Sequence, residues 1–278
     1  MKLFVTGGTG FIGSHFLNQA IANRHQVVAV RRPNSQPRIP LEAEPRWIEK
    51  PLADLDPADL AGCEAFVHFA AVGVSPQKAS WESCFQTNVM DSLHAWRVAV
   101  TAGVRRFILC GSCFEYGASG ENLQTIPPDC PLQPTAPYHA SKAAATMAAI
   151  GLCRSEKLHC SILRPFHAYG EGEEEYRFWP SLRHAALSGE DFPMTFGEQV
   201  RDFIPVDQVA SAFLHALEKE PPLAGIPEIK NIGTGKPQTL REFAEFWWSH
   251  WGATGKLQFG AVPYRPDEVM RYVPELIP

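Results

Sequence analysis

A tyrosine and a lysine four residues apart, Tyr138 and Lys142, form the pair in this sequence best suited to proton transfer. Residues at this spacing lie on one face of a helix, and Pro137 directly before the tyrosine suits a first helical position. A free tyrosine has a pKa of about 10, and an ammonium one turn away favours the phenolate and lowers that pKa. The pair therefore predicts a general acid/base, with Tyr138 as the group that exchanges the proton.

Ser112 is the third candidate for this chemistry. It follows the apolar run 107–110, which reads as a strand, and a glycine at position 111. Because ligands bind at the carboxyl ends of the strands in open α/β sheets, we expect Ser112 to face the same site as Tyr138. The tyrosine–lysine spacing alone is common by chance, and the serine upstream of it makes the combination more specific.

A glycine-rich segment, TGGTGFIG at 6–13, follows the first apolar run and opens a helical pattern. In this context, it matches a dinucleotide-binding turn. Gly7 would permit the tight turn, Gly10 would let the backbone approach a pyrophosphate, and Gly13 would allow close helix–strand packing. The alternative is an ordinary strand-to-helix turn with chance glycines.

Two arginines, Arg31 and Arg32, end the second predicted strand, where an NAD enzyme usually carries an acidic residue. Without a carboxylate to repel it, a 2′-phosphate could be bound by these guanidiniums. The sequence therefore favours NADP over NAD. The alternative is that both arginines form a solvated strand end.

The elements that position these residues follow an alternating strand and helix pattern, typical of α/β folds with a parallel sheet. We predict a Rossmann-like, doubly wound parallel sheet with a smaller C-terminal substrate-binding lobe. Strands are predicted at 2–6, 26–30, 45–48, 65–70, 106–111, 159–164 and 229–232. The dinucleotide-binding domain would span 1–165, with 203–235 returning to it. The lobe would take 166–202 and 236–278, and residues Phe243, Phe246, Trp247 and Trp251 would share one face of a helix in it.

Composition excludes several other classes of protein. The chain has 278 residues, 45% hydrophobic and 20% charged, with a net charge of −5 and no basic run. We therefore expect neither disorder nor nucleic-acid binding. Its apolar stretches are shorter than the ~20 residues of a membrane span, and the seven scattered cysteines and the N-terminus without a signal-peptide pattern favour a reducing cytoplasm. The histidines show no metal spacing, and His68, within an apolar strand, is expected in the core.

At several points the chain resembles the extended short-chain dehydrogenase/reductase family, in its nucleotide-sugar epimerase, dehydratase and reductase branch. The matching segments are TGGTGFIG (6–13), HFAA (68–71), TNVM (87–90), GSCFEYG (111–117), YHASK (138–142), LRPFHAYG (163–170), RDFIPVD (201–207), NIGTGK (231–236) and YRPDEV (264–269). The resemblance implies a catalytic triad of Ser112, Tyr138 and Lys142. It implies cofactor contacts from Gly7, Thr9, Gly10, Phe11, Ile12, Ala70, Ala71, Asn88, Tyr138, Lys142 and Pro165.

The resemblance also implies a nucleotide-sugar substrate, held in part by Arg201 and Arg265. Members that remove water across C5 and C6 carry an Asp-Glu pair directly after the triad serine or threonine. Cys113 and Phe114 stand there in this chain and would line the substrate instead, which argues against dehydration. His167 stands where many members have asparagine beside the substrate. Since histidine titrates near neutral pH, it is the next candidate proton donor.

The resulting hypothesis is an NADP-dependent reductase for the 4-keto group of a CDP- or dTDP-linked deoxysugar. A nucleotide-sugar 4-epimerase is the first alternative, although that chemistry is more usually paired with NAD. A catalytically silent NADP-binding regulator is the second. The helices around 80–102 and 136–156 resemble those that form the dimer contact in this family, which predicts a homodimer.

Overall fold

The computed structural model describes residues 1–74, 80–266 and 268–276. Its centre is a parallel sheet of seven strands with the order β11-β6-β5-β4-β1-β2-β3. These strands are β1 (Lys2–Thr6), β2 (Gln26–Arg31), β3 (Arg46–Glu49), β4 (Ala65–His68), β5 (Arg106–Cys110), β6 (His159–Pro165) and β11 (Glu228–Ile232). All seven predicted strands are present, most ending within one residue of the prediction.

Helices cover both faces of this sheet, so the predicted doubly wound Rossmann-like fold is confirmed. The helices are α1 (Phe11–Ala22), α2 (Trp81–Phe85), α3 (Ser92–Thr101), α4 (Pro137–Glu156), α5 (Phe178–Ser188), α6 (Val206–Glu218) and α7 (Leu240–His250). One buried cluster joins α1 and α6 to the sheet, and a second joins α3 and α4 to the opposite face. Helices α2 and α3 are continuous through a π-helical segment, Gln86–Asp91. This arrangement explains the continuous apolar strands, which are covered on both sides.

The remaining strands have only two or three residues. They are β7 (His167–Tyr169), β8 (Phe192–Met194), β9 (Val200–Arg201), β10 (Phe203–Pro205), β12 (Gln238–Thr239), β13 (Leu257–Phe259) and β14 (Arg271–Tyr272). They form small sheets that pair β7 with β10, β8 with β13, and β9 with β12 and β14. Helices α5 and α7 pack on each other around a separate apolar cluster. The division of the chain into a cofactor domain and a substrate lobe stays a prediction.

His68 confirms the expectation of a satisfied core histidine. It is 3% exposed on β4, with Nδ1 2.7 Å from the Thr6 hydroxyl and Nε2 3.0 Å from the Ser92 hydroxyl. Burial, with a smaller effect of the Lys142 charge, lowers the pKa of His68 to about 3. His68 is therefore neutral at working pH and ties the central strands β1 and β4 to α3.

Candidate active site

The glycine-rich turn between β1 and α1 lies against the segment that follows β4. Gly7 has a φ of +68°, and a Cβ there would stand 2.4 Å from the Ala70 nitrogen. A Cβ on Gly13 would stand 2.1 Å from the Gly7 carbonyl oxygen. The turn therefore requires glycine at both positions, because any side chain would collide with backbone.

Helix α1 presents its first turn to the carboxyl edge of the sheet, at the point where strand order reverses between β1 and β4. Gly10 caps the helix without a side-chain hydrogen bond, and its first turn has no acidic residue. Thr9, Phe11 and Ile12 are half-buried around it. Free helical amides, a positive dipole and glycines at the point of closest approach fit an anionic pyrophosphate. The residues present therefore fit a dinucleotide cofactor.

Arg31 does not stand in the carboxylate-free surroundings that the sequence argument assumed. The register of the sheet places Arg31 on β2 beside Glu49 on β3, and Arg31 Nε donates to Glu49 Oε1 at 2.9 Å. The same guanidinium lies 4.9 Å above the Trp47 ring. Arg32 is exposed beside it. The expectation is corrected on this point, because the next strand supplies the carboxylate that the second strand lacks.

The three residues of the predicted triad meet at the carboxyl end of β5. Ser112 is 6% exposed, and its hydroxyl lies beside that of Tyr138. Tyr138 and Lys142 both project from α4, and Lys142 Nζ donates to the Cys110 carbonyl oxygen at 2.7 Å. The triad is thus assembled on a strand end and a long helix, two elements that hold their side chains firmly.

The pKa of Tyr138 differs from the expectation. Burial raises it above its ordinary value, the nearby Cys110 adds to this effect, and the hydrogen bond with Ser112 opposes it. Lys142, whose Nζ donates to the Cys110 carbonyl oxygen, is not among the main influences on this pKa. Tyr138 is therefore a protonated phenol in this structure, which suits it to donate a proton rather than to accept one.

A buried ion pair behind Ser112 was not found from the sequence. Glu115 accepts a hydrogen bond from the Ser112 backbone N–H at 2.8 Å and one from Arg164 Nε at 2.8 Å. Both charged side chains are at most 3% exposed. Burial opposes the charge of Arg164, but Glu115 and Tyr116 more than offset it and raise its pKa. The pair fixes the turn that carries Ser112. Its two residues are 49 positions apart in the sequence, so no local pattern predicts that they meet.

Asn88 is buried behind the site and holds two of its segments together. Its Oδ1 accepts from the Val72 N–H at 2.8 Å, and its Nδ2 donates to the Val72 carbonyl and the Ser141 hydroxyl. It thereby joins the segment after β4, which includes the half-buried Ala70 and Ala71, to the helix that carries Tyr138. Its direct contact with a cofactor, like that of Pro165 at the buried end of β6, stays a prediction.

The predicted substrate residues lie at different depths. Phe114 is half-buried, with its ring centroid 6.5 Å from that of Tyr138, whereas Cys113 is 3% exposed and burial raises its thiol pKa to about 12. Arg201 is half-buried and donates from Nη2 to the Val269 carbonyl at 2.6 Å. Arg265 is exposed. The structure thus brings Phe114 to the triad, and the substrate contacts of Cys113, Arg201 and Arg265 stay predictions.

His167 does not titrate near neutral pH, as the sequence argument assumed. Burial, with smaller effects from the charges of Arg201 and Arg177, lowers its pKa to about 3. Its ring lies among the rings of Phe114, Phe203 and Tyr272, at centroid distances of 6.1–6.3 Å. The argument that made His167 the next proton donor therefore loses its premise, and its place beside the substrate stays a prediction.

Comparison with known proteins agrees with this geometry. The family described as "NAD dependent epimerase/dehydratase family" matches residues 3–233. The chain belongs to this family. It is an extended short-chain dehydrogenase/reductase, and the members that act on nucleotide sugars are oxidoreductases and epimerases.

Individual relatives differ in the reactions that their names state. A UDP-glucose 4-epimerase of Corynebacterium glutamicum is 29% identical over 88% of this chain and 79% of its own length. A CDP-abequose synthase of Salmonella muenchen is 27% identical over 97% of this chain and 87% of its own length. The solved structure of MoeE5 with UDP-glucuronic acid and NAD is 27% identical, has a TM-score of 0.84, and is matched over 99% of this chain and 90% of that one.

Among the described residues, no helix has both the length and the apolar character to cross a bilayer. Those residues also hold no group of three or more His, Cys, Asp or Glu side chains arranged to bind a metal ion.

Proposed function

We propose that this protein reduces the 4-keto group of a nucleotide-diphospho-deoxysugar, linked to CDP or dTDP, with NADP as its cofactor. The observation that carries the proposal is the Ser112–Tyr138 hydroxyl pair, in which a protonated phenol stands next to Phe114. Such a pair can donate a proton to an oxygen that becomes an alkoxide. The chemistry that a bound nicotinamide supplies is hydride transfer at C4.

Each residue of the triad has a separate part in this proposal. Tyr138 protonates the C4 oxygen. General acid catalysis by a positioned side chain typically accelerates such a reaction by about 10²–10⁴-fold. Ser112 orients that oxygen by a hydrogen bond, and its own position is fixed by the bond between its backbone N–H and Glu115. Lys142 is buried at the strand end and would hold the ribose hydroxyls of the cofactor.

The residues around the triad support reduction over dehydration. Elimination of water across C5 and C6 needs a further acid and base beside the sugar. Cys113 and Phe114 occupy the positions after Ser112, and the thiol of Cys113, with a pKa of about 12, stays protonated at neutral pH. The carboxylate nearest in sequence, Glu115, is fully buried and is paired with Arg164.

The preference for NADP is proposed from Arg32 and Arg31 at the end of β2. Both are cationic and stand at the strand end where ribose hydroxyls are recognised in this type of fold. The Arg31–Glu49 pair is the observation that favours NAD instead, because the carboxylate offers an acceptor to ribose hydroxyls. MoeE5, a structural neighbour, holds NAD.

A nucleotide-sugar 4-epimerase is the second candidate, favoured by that carboxylate and by the relative of that name. One assay separates the two. Purified protein is given CDP-, dTDP-, UDP- and GDP-linked 4-keto sugars with NADPH, and the corresponding 4-hydroxy sugars with NAD. A reductase consumes NADPH in proportion to the sugar. An epimerase interconverts the 4-hydroxy isomers without net consumption, and that outcome would overturn the proposal.

We also propose a homodimer formed through α2, α3 and α4. Trp81 on α2, Met90 on the segment between α2 and α3, and Met147 on α4 are 55–59% exposed, and a partner protomer would cover them. Light scattering at micromolar protein should give twice the mass of 30.8 kDa. A monomer at that concentration would contradict this arrangement.

A further inference from the structure

The side chain of Phe114 lies between the triad and a group of aromatic and imidazole rings. It stacks on His139 with centroids 4.9 Å apart and ring planes within 4°. It meets Tyr138 and His167 edge to face, at 6.5 and 6.3 Å. These contacts hold the ring in place, and Phe114 is half-buried beside the Tyr138 side chain.

The two imidazole rings packed on Phe114 carry no charge at neutral pH. Burial lowers the pKa of His139 and also that of His167, so both rings are neutral. The Nδ1 atom of His167 is buried, and His139 Nδ1 lies 3.3 Å from the Thr135 hydroxyl. Cys113 is also neutral and buried. The phenyl ring of Phe114 is therefore the apolar surface that stands beside Tyr138.

The chemistry of a 4-keto sugar places specific groups against this wall. If the C4 oxygen lies at the Tyr138 hydroxyl, as the proposed function requires, the nearest other substituents are the one on C3 and the C6 group on C5. A hydroxyl pressed on a phenyl ring loses its hydrogen bonds to water and gains none. A methyl or methylene group at the same place gains apolar contact instead.

We propose that Phe114 is a specificity-determining residue that selects sugars lacking one of the two hydroxyls that flank the C4 carbonyl, at C3 or at C6. The inference rests on the proposed function only in placing C4 at Tyr138. Apolar sites reject an added hydroxyl by about 100-fold at most, so we expect a preference of about 10- to 100-fold.

Calorimetry on the NADP-bound protein tests this with matched sugars: CDP-glucose, CDP-6-deoxyglucose and CDP-3-deoxyglucose, and the same three sugars on dTDP. The wild-type protein should bind at least one of the deoxy sugars about tenfold or more tightly than its parent. The arm that shows the preference tells whether C6 or C3 meets the ring. Phe114→Leu, which keeps an apolar surface, should retain the preference, and Phe114→Ser should reduce it to threefold or less.

Equal Kd values for all three sugars in the wild-type protein, or no binding of any of them, would overturn the inference, and so would an undiminished preference in Phe114→Ser. If Phe114→Ser fails to fold, the Kd ratios of the wild-type protein and of Phe114→Asn test the inference instead. NADPH consumption on 4-keto sugars is measured separately. Absent turnover with a Phe114-dependent binding preference refutes the reductase and keeps this inference. Turnover without a Phe114-dependent binding preference keeps the reductase and refutes this inference.

Discussion

The central sheet and the short strands beyond Pro165 are stabilised in different ways, and the candidate site lies where they meet. Strands of four to seven residues form the sheet, and the two clusters on its faces are almost fully buried. Beyond Pro165, strands of two or three residues pack through aromatic contacts, such as Phe203 on Phe243 at 4.1 Å and Tyr169 on Phe243 at 4.9 Å.

This difference is visible within the site itself. The triad is carried by β5 and α4, and its serine turn is fixed by the buried Glu115–Arg164 pair. The predicted substrate residues His167 and Arg201 come from short strands. A firmly held predicted triad beside short strands suits a family whose named members act on different nucleotide sugars. Substitutions in the central sheet and the triad should therefore lower activity or stability more than substitutions in the contacts between the sheet and the short strands beyond Pro165.

Tyr138→Phe should have the largest effect on catalysis. It removes only a hydroxyl, so the fold and cofactor binding should persist, but the alkoxide at C4 loses its proton donor. We expect kcat to fall at least about a hundredfold with KM little changed. Steady-state kinetics on the true substrate measures this. Ser112→Ala is the matched control and should do less damage, since a water can replace its hydrogen bond. A variant that retains more than about a tenth of the wild-type rate would show that the proton has another source.

Glu115→Gln should have the largest effect on stability. The amide keeps an acceptor for the Ser112 N–H, but Arg164 is left as an uncompensated buried charge. Breaking such a pair costs about 3–5 kcal/mol of unfolding free energy. Urea unfolding measures the loss, and the double variant Glu115→Gln with Arg164→Met should recover much of it. A loss below about 1 kcal/mol in the single variant would mean that Arg164 finds other partners.

Substitution of the arginines at the end of β2 should have a smaller effect, on the preference for NADP over NAD. If the arginines at the end of β2 bind a 2′-phosphate, NADP should bind at least about tenfold more tightly than NAD, a difference of roughly 1.4 kcal/mol. Because Arg31 is already paired with Glu49, Arg32→Ala should remove more of this preference than Arg31→Ala. Fluorescence titration of the wild-type protein and the two variants with both cofactors gives the three affinity ratios needed. Equal affinities in the wild-type protein would contradict an NADP preference and favour the epimerase.

The same contrast separates what the sequence could predict from what it could not. The sheet was predictable because buried parallel strands are continuous apolar runs. The triad was predictable because Ser112 follows such a run and because Tyr138 and Lys142 have the spacing of one helix face. The Arg31–Glu49 and Glu115–Arg164 pairs depend on register between distant segments, which composition and spacing do not encode. The pKa values of Tyr138 and His167 depend on burial, which is why the structure reverses both expectations.

Helix α7 shows where periodicity is only partly informative. The predicted aromatic face is present, with Phe243 2% exposed, but Phe246 is 62% exposed and stacks on His250. With 3.6 residues per turn, positions three apart are offset by about a sixth of a turn, so the ring at the edge of the apolar face can reach solvent. Short strands such as β9 and β12, with two residues each, leave no period from which they could be predicted.

The smallest expected effect concerns a contact that joins the two sides. The Arg38 guanidinium, in the loop between β2 and β3, pairs with the Glu174 carboxylate, between β7 and α5. Their side chains are 44% and 38% exposed, so solvent screens the pair. A double-mutant cycle with Arg38→Ala and Glu174→Ala should give a coupling energy of about 0.2–1 kcal/mol from urea unfolding. The coupling should shrink further in about 1 M salt, where charges are screened beyond roughly 3 Å. A coupling above about 2 kcal/mol that survives salt would show that this contact locks the substrate side to the sheet, and the contrast between a rigid and an adaptable side would then be wrong at this point.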